Sequence, residues 1–229
     1  MPPRRTPRAA SAGAEDGDSR LRILDAALEL MSEKGYSGTS ISMICRRSGL
    51  PPSSTYWHFG SKEGLLTAVV AHGARKWMEG LPRWGELQGD PRERFRALMQ
   101  AAADSMVRDA SSNPMRLIML LSLERRGIMD PESAEVIRSV RRSAAGGFRL
   151  AFREIYGIDT PDARRHSEEL AEFGLALADG AFIAHQIDAS TDMRRLFQFL
   201  ADAFLVIGDR LVAEDPSVDG SSPVLAGRE

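Results

Sequence analysis

Apolar residues in this 229-residue chain recur at three- and four-residue intervals, and no segment competes with the two-residue alternation of a strand. Proline follows Asp90, Asn113, Asp130 and Thr160, the pattern of an N-cap residue with proline in the first helical turn. Together these features predict an all-α protein of about nine helices.

The segment 19–34 places Ile23, Ala27, Leu30 and Met31 on one face, and Gly35 ends it. A short helix follows Thr39 and Ser40, a hydroxyl pair suited to capping, and Gly49 breaks it. Pro51 and Pro52 suit the start of another short helix, through Phe59. Ser61 caps a fourth, about 61–79, with Glu63 favouring the helix dipole. Four glycine or proline residues make 80–90 a loop. Helices then open at Pro91, Pro114, Pro131 and Pro161, and a last one runs over about 192–213. Residues 1–18, with Arg4, Arg5 and Arg8, are expected to be a disordered basic arm: a solvated tail or a contact to phosphate. Residues 215–229 are expected to be a second disordered tail.

Composition narrows the function. A net charge of −2 excludes a general polyanion binder. Within 19–64, however, six cations face four carboxylates, so positive field concentrates there. One cysteine excludes an intrachain disulfide and makes a structural zinc site improbable, and the four histidines lack metal spacing. Cys45 suits a helix interface, with redox sensing as the other reading. Phosphate loops, nucleophile elbows and acid–base carboxylate pairs are missing from the pattern. No apolar run reaches the roughly 20 residues of a membrane span, and the N-terminus lacks the apolar stretch of a signal peptide. The expectation is a cytoplasmic protein that is not an enzyme, without cofactor, metal or membrane.

The most informative stretch is TSISMICRRSGLPPSSTYWHFGSK, beginning at Thr39. It reads as a helix–turn–helix, motif about 40–59, whose second helix carries hydrogen-bonding groups. A recognition helix reads base edges from near its N-terminus while hydroxyls and cations hold phosphates. Ser53 and Ser54 let the backbone approach the groove, and Pro52 offers apolar contact only. Tyr56, His58 and Lys62 fit phosphate contacts, and Trp57 divides between core and interface. Thr39 and Ser40 fit phosphate at the N-terminus of the motif's first helix, and Arg46 adds field.

Residues 23–66 resemble the TetR family of bacterial transcriptional regulators. The resemblance rests on Gly35-Tyr36 leading to Thr39-Ser40, the Gly49-Leu50 break, the cluster Tyr56-Trp57-His58-Phe59, and Ser61-Lys62-Glu63. Pro51-Pro52 departs from the polar residues many relatives carry there. The resemblance implies a three-helix DNA-binding domain, 19–66, before a helical ligand-binding and dimerisation domain, 67–214.

Met99, Met106, Met119, Phe148, Phe152 and Phe173 read as core on their own. The resemblance implies that some of them, with Leu177, line a cavity for an unknown small-molecule effector. Arg116, Glu124 and His185 are the polar candidates. Gly146-Gly147 is expected to permit close packing. The last two helices carry more apolar residues than one pair can bury. Phe173, Gly180, Ala181, Ala184, Phe199, Ala203, Phe204 and Ile207 are therefore expected at a homodimer interface. Twofold symmetry implies a palindromic operator. The reading is a homodimeric repressor released from double-stranded DNA by its ligand. An activator or corepressor-dependent regulator, or a helical binder or enzyme with an unused DNA domain, are the alternatives.

Overall fold

The computed structural model describes residues 9–108, 114–123 and 131–215. Among the described residues lie nine α-helices and no strand. They are α1 (Ala9–Lys34), α2 (Ile41–Ser48), α3 (Pro52–Phe59), α4 (Lys62–Glu79), α5 (Pro91–Arg108), α6 (Pro114–Leu123), α7 (Pro131–Tyr156), α8 (Pro161–Ile187) and α9 (Met193–Glu214). One 3₁₀ turn, Trp84–Glu86, interrupts the loop after α4.

The proline starts fall where the N1 pattern places them. Asp90 Oδ1 accepts from the backbone N–H groups of Arg92 and Glu93, while Glu93 accepts from that of Asp90, a reciprocal cap. Thr160 accepts from the Ala163 N–H at 3.0 Å and donates to Asp215 at 3.1 Å.

The first helix is longer than expected, beginning at Ala9 rather than near residue 19. The added stretch is rich in alanine, the best helix former. Residues 1–8 and 216–229 lie outside the described residues.

The chain divides into two compact units. Residues 1–77 and 110–138 form one, and 78–109 with 139–229 form the other. The first unit thus takes in α6 and the start of α7, beyond the 19–66 expected for the DNA-binding domain.

In the first unit, α1 packs on α2, α3 and α6. Its face of Ile23, Leu24, Ala27, Leu28, Leu30 and Met31 is buried as the spacing predicts. Leu65, Leu66, Val69 and Val70 bury one side of α4. Three polar links join the elements. His72 Nε2 lies 3.0 Å from the Asp25 carboxylate, and Lys76 Nζ lies 3.3 Å from the same oxygen. Thr67 and Ser133 hydroxyls are 2.7 Å apart.

In the second unit, α9 packs on α5 and α8 around an aromatic cluster. Ring centroids of Phe95 and Phe204 are 4.5 Å apart, and those of Phe148 and Phe204 are 5.7 Å apart. Burying each such ring contributes about 1.5–3 kcal/mol. Below them the Tyr156 hydroxyl lies 3.0 Å from both the Leu205 carbonyl and the Asp209 carboxylate, which also holds Arg92. Burial, and then the neighbouring Asp209 charge, push the Tyr156 phenol well up. A Cβ on Gly208 would come within 2.4 Å of that hydroxyl, so only glycine lets α9 pass the ring.

Candidate nucleic-acid interface

The turn between α2 and α3 is set by local chemistry. Ser40, not Thr39, caps α2, accepting from the Met43 N–H at 3.3 Å. Gly49 closes α2 at φ 70°, a left-handed conformation that costs a residue with Cβ but not glycine, and its N–H donates to the Cys45 carbonyl. Arg22 of α1 donates to the Ser48 carbonyl at 2.6 Å, tying the turn to the first helix. Pro52 occupies the first turn of α3, and Gly60 ends it. Thr55 is buried on the inner face of α3, with its Oγ1 3.9 Å from Cys45 Sγ, so Cys45 sits between the motif helices.

The outer face of α3 carries Pro52, Ser53, Tyr56 and Trp57, all exposed, with Ser54 half-buried. Tyr56 is 52% and Trp57 79% exposed. A large indole left in water on a short, well-anchored helix points to a partner rather than to the core. Of the two readings for Trp57, core and interface, the geometry favours the second.

Three of the expected contact residues have partners within the chain. Thr39 is buried, and its hydroxyl donates to the Leu30 and Gly35 carbonyls, because it closes the α1–α2 turn rather than facing outward. The His58 side chain is only 7% exposed, facing Asp16 of α1 at 3.7 Å. Lys62 Nζ donates to the Tyr36 carbonyl at 2.8 Å and lies 4.2 Å from the Tyr36 ring centroid.

Ser40 remains outward, its hydroxyl 3.0 Å from that of Ser42. Ser42 joins the candidate surface, and its place in the first turn of α2 was the available signal. Arg47 is paired with Glu29, while exposed Arg46 has no ion-pair partner among the described residues. Hydrogen bonds from Glu63's own backbone N–H, then Ser61, then Tyr36 hold the Glu63 carboxyl below its usual range.

The expected pocket residues fall in both units. Met99, Met106, Phe148 and Phe152 are buried in the second unit, Phe148 within the aromatic cluster. Phe173 and Leu177 are exposed along α8, at 37% and 39%. Arg116 and Met119 are half-buried on α6 of the first unit, and Glu124 lies outside the described residues. His185 faces the Thr191 carbonyl at 3.3 Å and lines an open groove of about 400 Å³. Gly146-Gly147 does not serve close packing: a Cβ at Gly147 would meet nothing within 4 Å.

The expected interface residues on α8 and α9 also divide. Phe204 and Ala181 are buried within the unit, Phe204 between Phe95 and Phe148. Phe173, Leu177 and Gly180 are exposed and Ala184 half-buried along α8. Phe199, at 54%, and Val206, at 68%, are exposed along α9, with Ala203 and Ile207 half-buried beside them. Val206, one heptad after Phe199, continues the stripe and was readable from that spacing.

Two short helices joined by a glycine turn, the second facing outward, in a fold whose described residues form helices and no strand, make a helix–turn–helix. The model of the bacterial regulatory proteins of the tetR family matches residues 23–69. This stretch is therefore similar to the DNA-binding domain of that family. It is 41% identical over 58 residues to the HTH-type transcriptional regulator SrpR of Pseudomonas putida, covering 25% of this chain and 27% of that protein. It is 33% identical over 86 residues to the HTH-type transcriptional regulator BetI of Burkholderia ambifaria, covering 37% and 44%. The chain thus matches between about a quarter and under half of these relatives' length.

The fold likeness extends further. A tetR-family regulator from Streptomyces coelicolor superposes with a TM-score of 0.68 at 18% identity, over 87% of this chain and 84% of that one. One from Agrobacterium tumefaciens gives 0.65 at 21% identity, over 84% and 98%.

Proposed function

We propose that this protein is a sequence-specific DNA-binding transcriptional regulator, acting as a homodimeric repressor that a small-molecule ligand releases from a palindromic operator. The observation that carries the reading is the outer face of α3, where Tyr56 and Trp57 stand exposed beside Ser53 and Pro52. Hydroxyl, phenol and indole donors suit phosphate and base edges, while Pro52 suits a thymine methyl. Ser40, Ser42 and Arg46 on α2 supply further phosphate donors beside it.

The exposed stripes of α8 and α9 support dimerisation. Phe173, Leu177 and Gly180 repeat on one helix, and Phe199, Ala203 and Val206 on the next. Two such helices from each of two chains make a self-complementary four-helix interface. Release by a ligand follows from population shift: a ligand favouring a dimer with misplaced recognition helices weakens DNA binding by its differential affinity. Both α4 and α7 run from one compact unit into the other, so a shift in either has a covalent route to the motif.

The test is selection of bound sequences from a random duplex pool by the purified protein. The repressor reading expects an enriched palindrome. A reporter driven from that sequence then separates repressor from activator. Enrichment only after adding a cell-extract metabolite fraction would favour the corepressor alternative, and no enrichment under either condition would favour a helical binder with an unused DNA domain.

A further inference from the structure

In the second unit, the end of α7 and the start of α8 enclose an open groove of about 300 Å³. Its apolar lining includes Leu150, Phe152 and Ile158. Its cations are Arg149 and Arg153, one turn apart on α7, and Arg164 from α8.

These guanidinium groups are not equally satisfied. Arg164 is gripped through two bonds by Asp159, at 2.6 and 2.9 Å, so that pair is close to neutral. Elsewhere on α7, Arg138 pairs with Glu135 and Arg141 with Asp179. At the groove the pattern stops. Arg149 has no ion-pair partner among the described residues, and Arg153 has only its neighbour Glu154, at 3.7 Å, with a weaker pull on Asp159. Two like charges at i, i+4 repel each other. Gly146 keeps the approach open, since a Cβ there would meet only Arg149, at 3.7 Å.

We propose that this groove binds a small carboxylate with an apolar tail, its head group bridging Arg149 and Arg153 and its tail lying on Leu150, Phe152 and Ile158. A bridging anion relieves the arginine repulsion, and the planar guanidinium fork matches a carboxylate. At roughly 30 Å³ per atom the groove holds about ten non-hydrogen atoms, the size of octanoate. Its regulatory meaning rests on the ligand-responsive reading above, but binding itself does not.

The test is calorimetry on the full chain with octanoate, octan-1-ol and inorganic phosphate as separate probes. Octanoate is expected to bind once per chain, with octanol and phosphate each at least about tenfold weaker. Arg149→Gln with Arg153→Gln should weaken octanoate at least about tenfold at unchanged melting temperature. Arg149→Lys should retain part of the affinity, and Arg108→Gln, in the other groove, should change nothing. Absent binding, equal binding of octanol, or binding indifferent to the double variant would overturn the proposal and leave these arginines a solvated face. Arginine-dependent binding that leaves DNA affinity unchanged would uphold the groove and count against ligand release instead.

Discussion

His58 Nε2 of α3 faces the Asp16 carboxylate of α1 across 3.7 Å, and the imidazole is almost wholly enclosed. Two turns further along α1, Arg22 holds the Ser48 carbonyl, and between them the Arg20 guanidinium lies 5.3 Å from the Phe59 ring centroid. The early part of α1 therefore braces both motif helices. His58→Ala is expected to lower stability by about 1–2 kcal/mol through lost packing, while the salt dependence of DNA binding keeps its slope. Thermal unfolding and binding titrations over salt check this. A slope reduced by about one would restore the phosphate contact that the sequence suggested.

Tyr56 and Trp57 behave in the opposite way. Both are exposed, so Tyr56→Phe and Trp57→Ala should change stability by no more than about 0.5 kcal/mol. If the phenol holds phosphate, Tyr56→Phe weakens binding severalfold on every sequence, whereas Trp57→Ala costs about tenfold or more. Unchanged affinity in both folded variants would remove the outer face of α3 from the interface.

On the last helix, Phe204 and Val206 sit two residues apart with opposite fates, one buried and one 68% exposed. Val206→Glu should leave the monomer fold intact and dissociate the proposed dimer, since an unpaired charge would enter the proposed apolar interface. Sedimentation at micromolar concentration reads this directly. A variant that remains dimeric would place the interface elsewhere.

Asp25 provides a pH signature. Burial alone would raise its carboxyl, but the His72 hydrogen bond and the Lys76 charge outweigh this and hold it below its usual range. A carboxylate with a lowered folded value contributes stability that is present above about pH 4 and is lost as pH falls through and below that point. The melting temperature of the protein should exceed that of Asp25→Asn at neutral pH, with the gap closing towards pH 3. A gap independent of pH would show that this contact carries no linkage.

The helices were largely legible because their signals are local. Helices start at Pro91, Pro114, Pro131 and Pro161, where each proline announces them. The face of α1 was legible from Ile23 to Met31 for the same reason. What escaped were contacts between distant residues. Nothing within the motif reveals that Asp16 lies against His58, or that Lys62 donates to Tyr36. The hydroxyls Thr39 and Ser40 are adjacent and chemically alike, and only the closing of the α1–α2 turn decides which is buried. Phe173 and Leu177 look like core residues by type, and Leu177 follows buried Leu170 by one heptad, yet both are exposed.

The central claim is that two copies of α3 read one duplex. Once a bound sequence has been selected, it is tested most directly by sedimentation of the protein on a duplex carrying that sequence, beside duplexes with one half-site scrambled. The account predicts two chains per duplex, or an even multiple, with affinity falling by orders of magnitude when a half-site is lost. One chain per duplex, or equal binding to intact and scrambled sites, would contradict it.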